Sequence, residues 1–92
     1  MNDPYFELIN KQLNNIAMMY NQFRDKKPII EYLVNSEKIY SYPADDYINT
    51  LSAKTRDETT LLYNRACNNR QFLLFIKDEQ NQKLKSYLFD IP

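Results

Sequence analysis

Phe72-Leu73-Leu74-Phe75-Ile76 is the most concentrated apolar run in the sequence, and how it is read decides the fold. In a strand, successive side chains point to opposite faces, so Phe72, Leu74 and Ile76 line one face while Leu73 and Phe75 line the other. Both faces then need covering, the pattern of a strand buried on two sides. The run lies in a predicted strand, Gln71 to Lys77, and Lys83 to Ile91 supplies its antiparallel partner. Between them, Asp78-Glu79-Gln80-Asn81-Gln82 is a polar turn, with Asn81 available for a left-handed position.

Working back from that hairpin, the segment from Ala44 to Asn69 carries Ala44, Tyr47, Ile48, Leu51, Leu62, Ala66 and Cys67 near one face at helical spacing. It reads either as one long helix or as two short ones broken near Lys54, since Thr55 and Glu58 have the form of a capping box. Pro43 suits the start of this helical segment, Asp45 and Asp46 fall in its first turn, and Asn68 and Asn69 suit its C-terminal cap. Further back, Ile29 to Val34 and Lys38 to Tyr42 read as a short hairpin turning through Asn35-Ser36-Glu37; a short helix from Pro28 is the alternative. With no glycine in the chain, Asn35 is the residue expected in the left-handed position of that turn.

Asp3 to Arg24 is the clearest helix of the sequence. Asp3 is a plausible N-cap, Pro4 fits the first helical position, and Glu7 lies where the helix dipole favours a carboxylate. Phe6, Ile9, Leu13, Ile16, Tyr20 and Phe23 alternate spacings of three and four and make a seam, flanked by Tyr5, Leu8, Ala17 and Met19. Such a seam either covers the domain's own core or pairs with a second copy, which makes these six the candidate self-association residues. The fold expected is α+β over residues 1–92 as one small domain. It comprises an N-terminal amphipathic helix, a short β-hairpin, a central helix or helix pair, and a C-terminal antiparallel β-hairpin, with the strands forming a small antiparallel sheet. An all-helical first half followed by one hairpin is the runner-up, and helix, hairpin, helix, hairpin has a loose two-part character.

Composition narrows the chemistry. Glycine and histidine are both absent. Phosphate loops, dinucleotide fingerprints and nucleophile elbows need glycine for positive φ or close backbone approach. The commonest general base and metal ligand is missing with histidine, and the single Cys67 cannot build a zinc site alone. Adjacent carboxylates such as Asp45-Asp46 diverge by about a hundred degrees on a helix, so they do not converge on one substrate atom. The sequence is therefore read as non-enzymatic, with no cofactor and no metal.

Twelve basic residues balance twelve acidic ones, which argues against a protein dominated by phosphate contacts. One cysteine allows no intrachain disulfide, no basic and apolar leader opens the sequence, and no apolar run approaches the ~20 residues that span a bilayer. A cytoplasmic protein with no membrane contact is expected. Tyrosine is the surplus, with eight in the chain. Tyr40, Tyr42, Asp45, Asp46 and Tyr47 cluster in sequence and form the candidate partner-binding patch, because tyrosine joins a large ring to a hydroxyl and is enriched at interfaces. The expected partner is another protein. Nucleic acid, held through Arg and Lys residues toward the C-terminus, is the weaker alternative, and a structural homo-oligomer is a third.

Overall fold

A computed structural model describes residues 3–91. Its centre is a four-stranded sheet of β1 (Ile29–Leu33), β2 (Lys38–Tyr42), β3 (Gln71–Asp78) and β4 (Lys83–Asp90) in the order β2-β1-β3-β4. Each hairpin is antiparallel, with Glu31 opposite Tyr40 in the first and Phe75 opposite Ser86 in the second. The two hairpins meet through β1 and β3, which run parallel, Ile30 beside Leu74 and Tyr32 beside Ile76. The sheet is thus mixed, where a wholly antiparallel one was expected. Burial explains the arrangement: β1 and β3 are buried on both faces and take the centre, leaving the more exposed β2 and β4 at the edges. The long helical connection from β2 to β3 lets the chain return to start β3 alongside β1.

Both faces of the Phe72–Ile76 run are covered from within the chain. On one side Phe72, Leu74, Ile76, Ile30 and Tyr32 pack against Tyr5 and Ile9 of α1 (Pro4–Lys11) and Ile16 and Tyr20 of α2 (Leu13–Gln22). On the other side Leu73, Phe75 and Ile29 pack against α3 (Ala44–Asn49) through Ala44, Tyr47 and Ile48, and against α4 (Ala53–Asn68) through Leu62 and Tyr63. A large apolar side chain buried in this way contributes roughly 1.5–3 kcal/mol, so the two layers supply most of the driving force for folding.

The N-terminal helix begins as expected, with Asp3 as N-cap accepting from the Tyr5 amide at 2.9 Å, but it does not run unbroken to Arg24. It breaks at Gln12, and a short 3₁₀ turn follows at Arg24–Lys26. At the break the Gln12 amide is shared between the carbonyls of Leu8 and Ile9, while the Asn15 side chain donates to that of Gln12 at 2.8 Å. Asn14 and Asn15 are weak helix formers, and a bend here lets the pairs Tyr5–Ile9 and Ile16–Tyr20 both face the sheet. The central segment likewise resolves into two helices. Ser52 holds the N-cap position of the second of them without a cap hydrogen bond from its side chain, which donates instead to the Thr55 hydroxyl at 3.2 Å, so Thr55 lies inside α4 and is not its cap.

Among the described residues four hold positive φ: Lys27 at 47°, Glu37 at 56°, Arg70 at 55° and Gln82 at 52°. Asn35 and Asn81, the residues expected there, are not among them, whereas Asn69 is the C-cap of α4, as expected, with the left-handed Arg70 following it. Asn35 instead ties the two hairpin turns together, accepting from the Gln80 amide at 2.9 Å and donating to the Gln80 side chain at 3.3 Å. Asn81 binds back to the Asp78 carboxylate through its amide and its side chain. The left-handed residues fall in matching places, one shortly before β1 and one before β3, one before β2 and one before β4. The loose two-part order of the sequence is therefore a repeated layout of helix, left-handed residue and hairpin, with the helices of the two halves on opposite faces of the sheet.

Among the described residues no helix is long and apolar enough to cross a membrane.

Candidate functional site

Strand β2 places Tyr40 and Tyr42 on the same side of the sheet, two residues apart and opposite Glu31 and Ile29. Pro43 then turns the chain into α3, whose Tyr47 comes back over that side of the sheet. The result is a row of rings. Tyr40 and Tyr42 lie 6.1 Å apart between centroids, Tyr42 and Tyr47 5.5 Å, and Tyr47 stacks on Phe75 at 5.6 Å. Spacings of this order are those of interacting aromatic pairs, so the row is fixed from the exposed Tyr40 down to the buried Phe75.

Beneath the row lies Glu31, a carboxylate only 5% exposed. One of its oxygens accepts from the Tyr47 hydroxyl at 3.2 Å and forms an ion pair with Lys77 Nζ at 3.1 Å. A charge this deep needs such partners, because an unpaired one would carry a heavy desolvation penalty. Burial, followed by the charge of Glu31, raises the Tyr47 phenol well above the ordinary tyrosine value, and the same two influences raise Tyr42. Both therefore remain neutral hydroxyls at physiological pH.

A shallow groove of about 310 Å³ opens over this pair, lined by Glu31, Tyr42, Asp46, Tyr47, Thr50 and Lys77. Asp46 thus stands beside the rings. Asp45 and Asp46 also line a neighbouring groove of about 390 Å³, together with Asp25, Lys26 and Tyr63. The structure accordingly brings Tyr40, Tyr42, Tyr47 and Asp46 together and places Asp45 at the margin, toward that second groove. Glu31 and Lys77 belong to the same surface and were not singled out from the sequence. A glutamate inside Ile29-Ile30-Glu31-Tyr32-Leu33 was the available signal, since a charge inside an apolar strand calls for a partner.

The six seam residues separate into two groups. Ile9, Ile16 and Tyr20 are buried in the chain's own core, whereas Phe6, Leu13 and Phe23 are exposed on the outer side of the first helical layer. Tyr5, read from the sequence as a flank, points inward in their place. Of the basic residues weighed for nucleic acid, Lys77 is held by Glu31, and Lys85 reaches Asp3 at 3.6 Å on the other side of the sheet.

Compared with family models, curated proteins and solved structures, the chain finds no significant match.

Proposed function

We propose that this chain is a non-enzymatic binding factor that works by protein-protein contact in the cytoplasm, as a small inhibitor, immunity-type or accessory protein. Tyr40, Tyr42, Tyr47 and Asp46 form the centre of the contact, with Asp45 at its edge. The observation that carries this reading is the ring row from Tyr40 to Phe75, anchored through Tyr47 to a buried carboxylate. Aromatic side chains already held in place lose little freedom on binding, so a surface of this kind yields more net affinity per contact than a mobile one. The absence of histidine and glycine from the sequence weighs in the same direction, against catalysis. Binding of nucleic acid and homo-oligomerisation are the weaker alternatives.

The test leaves Tyr47 intact, because its hydroxyl and its stacking on Phe75 belong to the fold. Tyr40→Ala and Asp46→Lys change exposed positions. Tagged wild-type and variant chains with the same melting temperature are used to capture partners from the native host. Loss of the captured protein with both variants is the expected result. Equal recovery by all three chains overturns the proposal.

A further inference from the structure

At the end of the sheet where β1 and β3 begin, the two helical layers part around a cavity of about 130 Å³. Tyr20 of α2, Ala66 of α4, Phe72 and Leu73 of β3 and Ile91 give it a largely apolar wall. Tyr20 and Phe72 stack at 4.8 Å with 24° between their planes, which makes one side flat and rigid. Tyr63 forms a further side, its hydroxyl 3.5 Å from the Lys27 carbonyl. Burial and then a hydrogen bond with Cys67 push the Tyr63 phenol up to about 12, so it presents a neutral hydroxyl.

Two cations share the opening. Lys27 and Arg70 both line the cavity, and both hold left-handed backbone at the entry to a central strand. Among the described residues neither finds a carboxylate within salt-bridge distance. Helix α4 ends at this point, but its last carbonyls already accept from the amides of Asn69 and Arg70. The Arg70 guanidinium is therefore not needed as a helix cap. A closed apolar cavity of ~150 Å³ admits a benzene ring. This one, about 130 Å³ but open to solvent beside the exposed Lys27 and Arg70, holds a ring of that size with its substituent outside, where a planar guanidinium fork matches a carboxylate.

We infer that this cavity binds a small aromatic monocarboxylate, with its ring among Tyr20, Phe72 and Tyr63 and its carboxylate received by Arg70 and Lys27. The site is separate from the Tyr40–Tyr47 surface, and either can fail without the other. Benzoate is the probe, followed by amide NMR shifts of the full chain. Benzoate shifts the amides of Ala66, Arg70, Phe72 and Leu73, and benzylamine, of similar size and opposite charge, leaves them in place. Replacing both cations by asparagine, Lys27→Asn with Arg70→Asn, keeps residues that tolerate positive φ. That double variant binds benzoate about tenfold more weakly, the loss expected when charge-assisted hydrogen bonds are removed, and binds neutral benzyl alcohol as the wild type does. Absence of benzoate shifts at these amides, equal shifts with benzylamine, or unchanged benzoate affinity in the folded double variant overturns the inference. The benzoate and benzylamine comparison on the wild type decides charge preference even where the double variant does not fold.

Discussion

The two faces of the sheet are built from one alternating run and come to different ends. The face under α1 and α2 is closed by apolar side chains alone at its centre, with Ile9, Ile16, Ile30 and Leu74 fully buried. The face under α3 and α4 is closed only in part. Leu73 and Phe75 are covered, but the surface continues past them to a buried glutamate, a half-exposed lysine and a row of tyrosines that ends in solvent. One face holds the molecule together, and the other combines that task with presenting a surface. Where helices cover a strand completely, a side chain is free only to pack. Where they stop short, the same strand positions carry polar groups that a partner can meet.

The largest difference between the faces is expected at their centres. Leu74→Ala removes a fully buried side chain from the closed face and costs about 2–5 kcal/mol, read from urea unfolding. Tyr40→Ala, on the open face and 38% exposed, costs no more than ~1 kcal/mol in the same measurement. Equal losses from the two changes would show that Tyr40 is part of the core and remove the distinction between the faces.

An intermediate effect is expected where the open face turns inward. Glu31→Ala leaves the Tyr47 hydroxyl without its acceptor and Lys77 without its counter-ion, at a cost of about 2 kcal/mol. Glu31→Gln keeps an acceptor for both and loses roughly half as much. Should the two variants unfold at the same urea concentration, the buried carboxylate would be holding the ring row through its charge and not through hydrogen bonding.

This division was only partly legible in the sequence. The alternation through Phe72–Ile76 was enough to require two covers, because side-chain direction in a strand is a local property. The strands from Ile29 to Tyr42 were legible for the same reason. The parallel contact of β1 with β3 was not, since pairing across so many residues leaves no local trace beyond the apolar character of both strands. Nor was the break at Gln12, which lacks the proline or glycine that usually marks one. Glycine's absence was visible, yet the left-handed positions went to Lys27, Glu37, Arg70 and Gln82, because the asparagines expected there are engaged in the turns through their side chains. At the site, the tyrosine cluster could be read from composition and spacing. Its anchor could not, because Glu31 and Lys77 lie on different strands and meet only when β1 and β3 pair.

The smallest effect concerns how the closed face is fastened at its rim. Asp3 caps α1 and also accepts from the Tyr87 hydroxyl, with Lys85 at 3.6 Å, while Asp78, buried at the end of β3, accepts from Tyr5 at 2.8 Å and from Asn81. The hydrogen bond from Tyr87 holds the Asp3 carboxyl below its ordinary value of 3.8, and the hydrogen bond from the Asn81 side chain does the same for Asp78. A carboxyl whose folded value is depressed contributes stability that is present above 3.8 and is lost as pH falls through the lower folded value. Both carboxylates join α1 to the β3–β4 hairpin, and among the described residues their hydrogen bonds and ion pairs reach neither α3 nor α4. Acid should therefore loosen α1 first: below pH 3.8 the amides of Leu8 and Ile9 lose hydrogen-exchange protection, relative to the intrinsic rate at each pH, while those of α4 keep theirs. Asp3→Asn brings part of that loosening to neutral pH and flattens the acid dependence. Simultaneous loss of protection in α1 and α4 would show that both helical layers open as one unit, and that the rim contacts do not fasten the closed face separately.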